Sequence, residues 1–403
     1  MVLAQVPGWT RAERAGKEFG DSRLAPFAIW TVAALSWAVV LVKARFGGGD
    51  FPEIWRGIHN FDTGHPIYFQ NGITMSFLYP PSAAMVMAPL GLVSESKAAL
   101  AFAVAQAIAI SLACVLLLRT AGRDGRLLIP LAVLAASLLL PARNSLWLGN
   151  LDGIILGLEA VGLVAAVRGS WSAAALAIGL SLALKPVLLP LLVIFILAGK
   201  WRALAVAIAV PAGLSLVALS LTADGMAFVY RVVPFLAAGQ SSQLENVNVS
   251  LSGGILSAHL PGAVLLAARG IVGLLVVVLV WLRWSAKELA GEPAVRLGEV
   301  SGLVMLGVLL TFSYAWAHYI LFLIPLFALY GIRHSVVRGV LTAVAAYLLL
   351  FPDNDLWAKW SFAASQIRLT AGLLLLLASI AAYALSRLRR SQAAPASTAA
   401  TAA

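Results

Sequence analysis

The chain has 403 residues, of which 61% are hydrophobic and 11% are charged. Soluble domains carry about 45–50% apolar and about 25% charged residues, so this composition excludes a water-soluble fold. The formal net charge of +11 at pH 7 does not indicate a nucleic-acid partner. The basic residues form short clusters between apolar runs, where they set the orientation of membrane helices.

Apolar runs recur along the whole chain. A helix of about 20 apolar residues spans the hydrocarbon core, because it satisfies its own backbone hydrogen bonds there. About twelve spans are predicted on this basis. They lie near residues 25–42, 98–118, 127–140, 151–167, 173–184, 187–198, 203–221, 263–282, 300–314, 319–330, 336–351 and 369–385. The pair 173–184 and 187–198 is short for two crossings and is alternatively one helix kinked at Pro186. We therefore predict an all-α, polytopic membrane protein.

The ends of the chain differ in composition from this transmembrane domain, which we assign to residues 25–390. Residues 1–24 are polar and are predicted to be a cytoplasmic segment, and the first span, without a small-residue cleavage site, is predicted to be retained. Residues 391–403, rich in Ala, Ser and Thr, are predicted to be a disordered tail. With both termini in the cytoplasm, most of the 28 basic residues fall on the inner side of a plasma membrane.

Two predicted outer loops, 43–97 and 222–261, are too long to be simple turns, and long loops usually carry function. The first contains FPEIWRGIHNF, an amphipathic helical pattern suited to lying on the membrane surface. It continues into FLYPPSAAMVMAPLGLV, which is apolar but interrupted by prolines. This segment is predicted to be either a re-entrant element or the start of a span.

Polar residues gather at the predicted outer ends of the helices. Asp50 follows three glycines after the first span, where a flexible backbone can bring a carboxylate toward a substrate. We consider it a candidate general base. On spacing alone, the favoured alternative is a helix N-cap, because Asp50 precedes Phe51 and Pro52 at the start of the amphipathic pattern. The two roles are compatible.

Lys185 and His318 are candidates for binding an anion. Lys185 interrupts the run LALKPVLLPLL beside Pro186, and a buried lipid phosphate would match it. A lysine that snorkels from a helix end is an equally good interpretation. His318, within YAWAHY, has the chemistry to donate to a phosphate or to transfer a proton. From position alone, an interfacial histidine packed among aromatic rings is the favoured alternative.

Other polar residues have weaker patterns. Glu245 and Asn248, in QLENVNVSLSGG, suit sugar hydroxyls, but such a run is also common in loops. Asp152 is a candidate helix cap, whereas Glu159, deeper in the same run, is predicted to pair or to face a cavity. The sequence contains no HExxH, P-loop or GxGxxG pattern. No metal or organic cofactor is therefore predicted.

Five segments together resemble glycosyltransferase family 87, polytopic enzymes of the GT-C class that use polyprenyl-phosphate sugars as donors. They are GGDFPEIWRGIHNFDTGHPIY, FLYPPSAAMVMAPL, LWLGNLDGIILGLE, LAIGLSLALKPVLLPLL followed by KWRAL, and YAWAHYILFLIPL. Their order and spacing are most similar to the actinobacterial branching arabinofuranosyltransferases of cell-wall arabinan. The mannosyltransferases of phosphatidylinositol mannoside synthesis are the next most similar group.

The resemblance implies a GT-C fold and a set of site residues. Asp50 matches the family's catalytic base, and Lys185 and His318 match contacts to the donor phosphate. Glu245, Asn248, Tyr79 and Asp152 are implied as sugar or acceptor contacts. The chain has GGD where related arabinosyltransferases tend to have two consecutive acids, so a bridged metal is less expected here.

The function implied is transfer of arabinofuranose from decaprenyl-phosphate arabinose to an envelope glycan or glycolipid acceptor, amid membrane lipids and on the outer face. A mannosyltransferase that uses polyprenyl-phosphate mannose is the first alternative. A transporter of lipid-linked sugars is an alternative of another class. Transporters tend to place ionisable groups near the midplane between internal repeats, and no repeat is evident in this sequence.

Overall fold

The computed structural model describes residues 24–46, 49–68, 70–71, 74–75, 77–237, 248–257, 259–351 and 362–393. Most of the predicted N-terminal segment and the end of the predicted tail lie outside these ranges. The last helix continues to Ala393, past the predicted start of the tail at residue 391.

The described chain is almost entirely helical, as predicted. The α-helices are α1 Leu24–Phe46, α2 Phe51–Asp62, α3 Pro81–Met87, α4 Glu95–Thr120, α5 Leu128–Leu138, α6 Leu140–Leu148, α7 Asp152–Val167, α8 Trp171–Leu184, α9 Val193–Leu197, α10 Trp201–Leu221, α11 Val233–Ala237, α12 Leu251–Ser257, α13 Gly262–Trp284, α14 Pro293–Thr311, α15 Ile324–Phe327, α16 Val340–Leu350 and α17 Phe362–Ala393. Short 3-10 helices cover Ala88–Leu90, Pro186–Leu192, Lys287–Leu289 and Ala317–Leu323, and a π-helix covers Phe228–Val232. Strands β1 Gln70–Asn71 and β2 Thr74–Met75 form a small antiparallel pair.

The chain is a multi-pass membrane protein, but the prediction of about twelve spans is not confirmed. In the described part, 6 helices are long and apolar enough to cross a membrane, or up to 7 if α5 and α6, bent by 55°, form one span. The other predicted spans are shorter helices. The runs near 187–198 and 319–330 are divided between a 3-10 helix and a short α-helix. Proline at positions 186, 190 and 325 accompanies these divisions, since proline removes a backbone donor.

Helix α14 is the centre of the bundle. Within its apolar window, 78% of the residues are buried inside the protein, against 11% for α10 and 17% for α1. It packs against α7, α13 and both 3-10 helices at 186–192 and 317–323. The remaining helices add layers outside it, with α8 between α7 and α10. Apolar side chains on the outer helices remain exposed, as expected for surfaces that face lipid.

Helix α2 confirms the predicted amphipathic helix but not its predicted placement. Ile54 and Ile58, the centre of its apolar face, are buried inside the protein, and Phe51 packs against Phe102 of α4. The apolar face therefore binds the helical core instead of the membrane surface. Helix α3, which follows, is short and has buried residues along most of its length. It is too short to begin a span, which favours the re-entrant alternative.

The two predicted outer loops are joined at Asp224. Its carboxylate oxygens accept hydrogen bonds from the backbone N–H groups of Ile67 and Tyr68, each at 2.9 Å. The Tyr68 hydroxyl then donates to the carbonyl of Tyr79 at 2.9 Å. Charge-assisted bonds of this kind are stronger than neutral ones. The segment that carries Tyr79 is therefore fixed from both loops.

Gly149 allows the chain to turn sharply between α6 and α7. Its φ of 70° is left-handed, and a Cβ added there would lie 2.5 Å from the Cβ of Phe51. Directly before Phe51, the Asp50 N–H donates to the carbonyl of Leu148 at 3.0 Å. The turn therefore sets the position of Asp50 against the end of α6.

We predict that Gly149→Ala lowers both stability and activity, because alanine adds left-handed strain of about 1–2 kcal/mol and a clash with Phe51. Gly169→Ala is the matched control. Gly169 has a φ of 77° with no atom within 4 Å of an added Cβ, so it tests strain alone. The measurements are the Tm in detergent and the transfer rate. If the two variants lowered the Tm and the transfer rate equally, the result would contradict a role of Gly149 in positioning Asp50.

Candidate active site

Polar residues from several helix ends meet at one place in the fold. Asp50 precedes α2, Tyr79 precedes α3, and Asp152 is the first residue of α7. Lys185 separates α8 from the 3-10 helix Pro186–Leu192, and His318 lies at the start of the 3-10 helix Ala317–Leu323. Helix ends leave backbone groups unsatisfied, so polar side chains and ligands are naturally placed there.

Lys185 lies at this junction because of its neighbour. The residue before a proline disfavours the α conformation, and Lys185 is extended, with φ −156° and ψ 115°. Helix α8 therefore ends at Leu184, and the Lys185 side chain turns inward. Its ammonium lies 2.7 Å from the Asp152 carboxylate, and only 12% of the side chain is exposed. This burial excludes a lysine that snorkels to the membrane surface.

Asp152 is at the centre of a buried charged cluster. It is fully buried, and its second carboxylate oxygen lies 3.1 Å from Nε2 of His318. Its side chain makes no capping hydrogen bond, so the predicted cap is wrong; the backbone N–H of Asp152 instead donates to Oδ1 of Asn150. The carboxylate lies at the helix N-terminus, where the dipole favours a negative charge. Because Asp152 is fully buried, a role in orienting Lys185 and His318 fits it better than the predicted direct contact to a sugar.

Two tyrosines enclose the Lys185 ammonium. It lies 4.5 Å from the ring centre of Tyr319 and 5.9 Å from that of Tyr79. Cation–π contacts of this kind are stronger when the site is desolvated. The implied site residue Tyr79 therefore belongs to the cluster, whereas Tyr319 was not singled out from the sequence. Its position directly after His318 in YAWAHY was the available signal.

His318 combines the two interpretations that the sequence allowed. It is 2% exposed and stacks on Trp316, with ring centres 5.6 Å apart. Tyr319 meets it edge-on at 5.0 Å. It is therefore packed among aromatic rings, as predicted from its position alone, and it also contacts the Asp152 carboxylate.

Asp50 occupies the N-cap position of α2, but its carboxylate makes no capping hydrogen bond. The residue is half-buried, in contrast to the fully buried Asp152. Burial raises the pKa of Asp50 to about 6, with the Lys185 ammonium lowering it and the Asp152 carboxylate raising it. A carboxylate with this pKa is a suitable base near neutral pH.

The remaining predicted residues have different positions. The Asn248 side chain donates to the carbonyl of Ser313 at 2.8 Å and accepts from the N–H of Ala315 at 2.9 Å. It thus holds a neighbouring segment, and its direct contact to a sugar stays a prediction. Glu245 lies outside the described residues. Glu159 is buried and accepts a hydrogen bond from Ser301 at 2.7 Å, in agreement with the predicted pairing.

A buried polar network supports the cluster from behind. The Ser145 hydroxyl lies 2.9 Å from Oε1 of Gln106 and 3.0 Å from Oδ1 of Asn150. The same Gln106 oxygen accepts the N–H of Gly153 at 3.2 Å. These bonds connect α4, α6 and the start of α7, so the position of Asp152 depends on three helices.

In the described residues, no group of three or more His, Cys, Asp and Glu side chains is arranged to hold a metal ion. That transfer needs no metal ion stays a prediction.

The family prediction is confirmed by comparison with known proteins. The profile described as glycosyltransferase family 87 matches residues 77–311, more than half of the chain. The chain belongs to glycosyltransferase family 87, and the cluster lies at the helix ends of a membrane glycosyltransferase.

Two curated relatives cover most of the chain. The alpha-(1->3)-arabinofuranosyltransferase of Mycobacterium tuberculosis (strain ATCC 25618 / H37Rv) is 30% identical over 362 residues, 87% of this chain and 82% of the relative. The protein of the same name from Corynebacterium glutamicum is 30% identical over 337 residues, 81% of this chain and 78% of the relative. The crystal structure of ArnT from Cupriavidus metallidurans bound to undecaprenyl phosphate has 16% identity and a TM-score of 0.46, covering 90% of this chain and 77% of that one.

The raised pKa of Asp50 predicts the pH dependence of transfer. Only the ionised carboxylate accepts a proton, so kcat/KM should be constant above the pKa and fall about tenfold per pH unit below about 6. The measurement is the pH–rate profile of the purified protein. An acid limb near pH 4, the ordinary value for an aspartate, would contradict this environment.

The ion pair between Asp152 and Lys185 predicts non-additive stability. Removal of one partner leaves a buried charge and should cost about 3–5 kcal/mol, so Asp152→Ala should lower the Tm strongly. The double variant Asp152→Ala/Lys185→Met should regain much of the lost stability without regaining activity. Thermal unfolding of Asp152→Ala, Lys185→Met and the double variant in one detergent tests this, and strictly additive losses would argue against a direct pair.

Proposed function

We propose that this chain transfers an arabinofuranosyl group from decaprenyl-phosphate arabinofuranose to a hydroxyl of an envelope glycan. The sugar is inferred from the names of the relatives, which cover more than 80% of this chain at about 30% identity. The observation that carries the chemistry is an uncapped, half-buried Asp50 carboxylate beside the cluster of Lys185, Asp152 and His318.

The proposed reaction is a single displacement. Asp50 accepts the proton of the acceptor hydroxyl as its oxygen attacks the anomeric carbon. The new carbon–oxygen bond forms while the bond from that carbon to the phosphate oxygen breaks, and polyprenyl phosphate leaves with the bonding electrons. The anomeric configuration inverts.

Lys185 supplies the positive charge for the leaving phosphate in this proposal. The phosphate needs little protonation, so a fixed cation in a water-poor site is an effective stabiliser. Asp152 holds the ammonium at 2.7 Å and lies 3.1 Å from His318, so it fixes both side chains beside the proposed phosphate site.

The proposed location is the plasma membrane, with both termini in the cytoplasm and the active site on the outer face. The support is the distribution of basic residues between the predicted spans. A lipid-linked donor and a glycan acceptor meet naturally at this face.

We predict that Asp50→Asn lowers transfer about a hundred- to ten-thousandfold, because general-base assistance typically contributes that much. The amide has the same shape, and the native carboxylate makes no capping bond, so the Tm should change little. Asp62→Asn, at the other end of α2, is the matched control and should remain close to wild type. Activity of Asp50→Asn near the wild-type level would refute the role of Asp50.

The donor is tested with the purified protein in detergent, using radiolabelled decaprenyl-phosphate arabinose and polyprenyl-phosphate mannose separately. Each is offered with arabinan and mannoside acceptors. Arabinose transfer that Asp50→Asn abolishes is the expected result. Mannose transfer alone would assign the mannoside reaction, and absence of transfer with passage of lipid-linked sugar across proteoliposomes would indicate a transporter.

A further inference from the structure

The segment between α14 and the 3-10 helix Ala317–Leu323 carries Tyr314, whose ring contacts Trp316 beside His318 of the cluster. Asn248 fixes this segment on both sides of the tyrosine, through the carbonyl of Ser313 and the N–H of Ala315. In addition, a backbone hydrogen bond joins the N–H of Val249 to the carbonyl of Ala315 at 2.8 Å. The backbone that carries Tyr314 is therefore held more firmly than an ordinary loop.

The ring of Tyr314 is fixed by the same aromatic series that packs His318. Tyr314 meets Trp316 edge-on, with ring centres 5.1 Å apart and planes at 81°. Trp316 in turn stacks on His318 with planes 16° apart. The direction of the Tyr314 side chain is thus set by neighbours that belong to the active site.

The hydroxyl of Tyr314 is buried and has no hydrogen-bond partner among the described residues. Leaving a buried donor unpaired is unfavourable, and such an exception calls for an explanation. Burial first, followed by the Tyr319 hydroxyl and the Asp50 carboxylate, raises the pKa of Tyr314, so the hydroxyl remains a donor at neutral pH. Tyr319 and Asp50, the two residues that act electrostatically on Tyr314, both belong to the candidate active site.

We infer that Tyr314 is an acceptor-binding residue, which donates a hydrogen bond to a sugar hydroxyl next to the one that Asp50 deprotonates. This inference rests on the proposed glycosyl transfer. The ligand chemistry is a polyol with adjacent hydroxyls, one held by a carboxylate and the other by a phenol. The Asp50 carboxylate accepts a hydrogen bond from one hydroxyl and the Tyr314 phenol donates one to its neighbour, and together these two contacts orient the attacking oxygen.

The first test is Tyr314→Phe, which removes the hydroxyl and keeps the ring contact to Trp316. The KM for acceptor should rise about three- to tenfold, the effect of one hydrogen bond, while the KM for donor remains unchanged. Tyr230→Phe is the matched control, because Tyr230 is 60% exposed, and it should behave as wild type.

The second test uses acceptors that lack, in turn, each hydroxyl adjacent to the accepting one. One of these deoxy acceptors should lower kcat/KM of the wild type by the same factor and should have no further effect on Tyr314→Phe. A purely structural tyrosine would give equal losses in both proteins, and that result would overturn the inference. Failure of transfer from both donors would instead refute the proposed function, so the two failures are distinguishable.

Discussion

The ion pair between Asp152 and Lys185 is the interaction on which the rest of the site depends. A fully buried carboxylate is strongly unfavourable without a partner, and here the partner is 33 residues away, at the end of another helix. Forming the pair brings the start of α7 to the break after α8. His318 then completes the group from the 3-10 helix that packs against α14. The bundle is thus closed around a charged centre.

Two carboxylates of this centre have different environments, and the difference separates their roles. Asp152 is inaccessible and lies against Lys185 and His318, which suits the orientation of cations. Asp50 is half-buried and uncapped, and burial brings its pKa to about 6, which suits proton transfer. Pairs of titratable groups with such contrasting environments are a common basis for assigning catalytic functions. The support for both comes from the turn at Gly149 and the amides of Gln106 and Asn150, which fix α6 against the start of α7.

Much of this arrangement could be predicted from local sequence patterns. The apolar runs predicted a helical membrane protein, the LKP element predicted a break at Lys185, and the family motifs selected Asp50, Lys185 and His318. The number of spans was not predictable in the same way, because several apolar runs form short or 3-10 helices whose limits depend on packing.

The pairing of Asp152 with Lys185 and the positions of Tyr314 and Tyr319 depend on contacts between distant segments. Asn248 holds the backbone of Ser313 and Ala315, a role that its loop-like sequence context did not indicate. The amphipathic pattern of α2 likewise does not distinguish an apolar face that packs against protein from one that lies on lipid.

The proposed reaction, with one base and a stabilised leaving group, is a single displacement. The most direct test is the anomeric configuration of the product that the purified protein makes from a donor of defined configuration, determined by NMR of the isolated glycan. The account predicts a configuration opposite to that of the donor. Retention of configuration would contradict it, because a single displacement from the opposite face always inverts the anomeric carbon, whereas two successive displacements through a covalent glycosyl intermediate retain it.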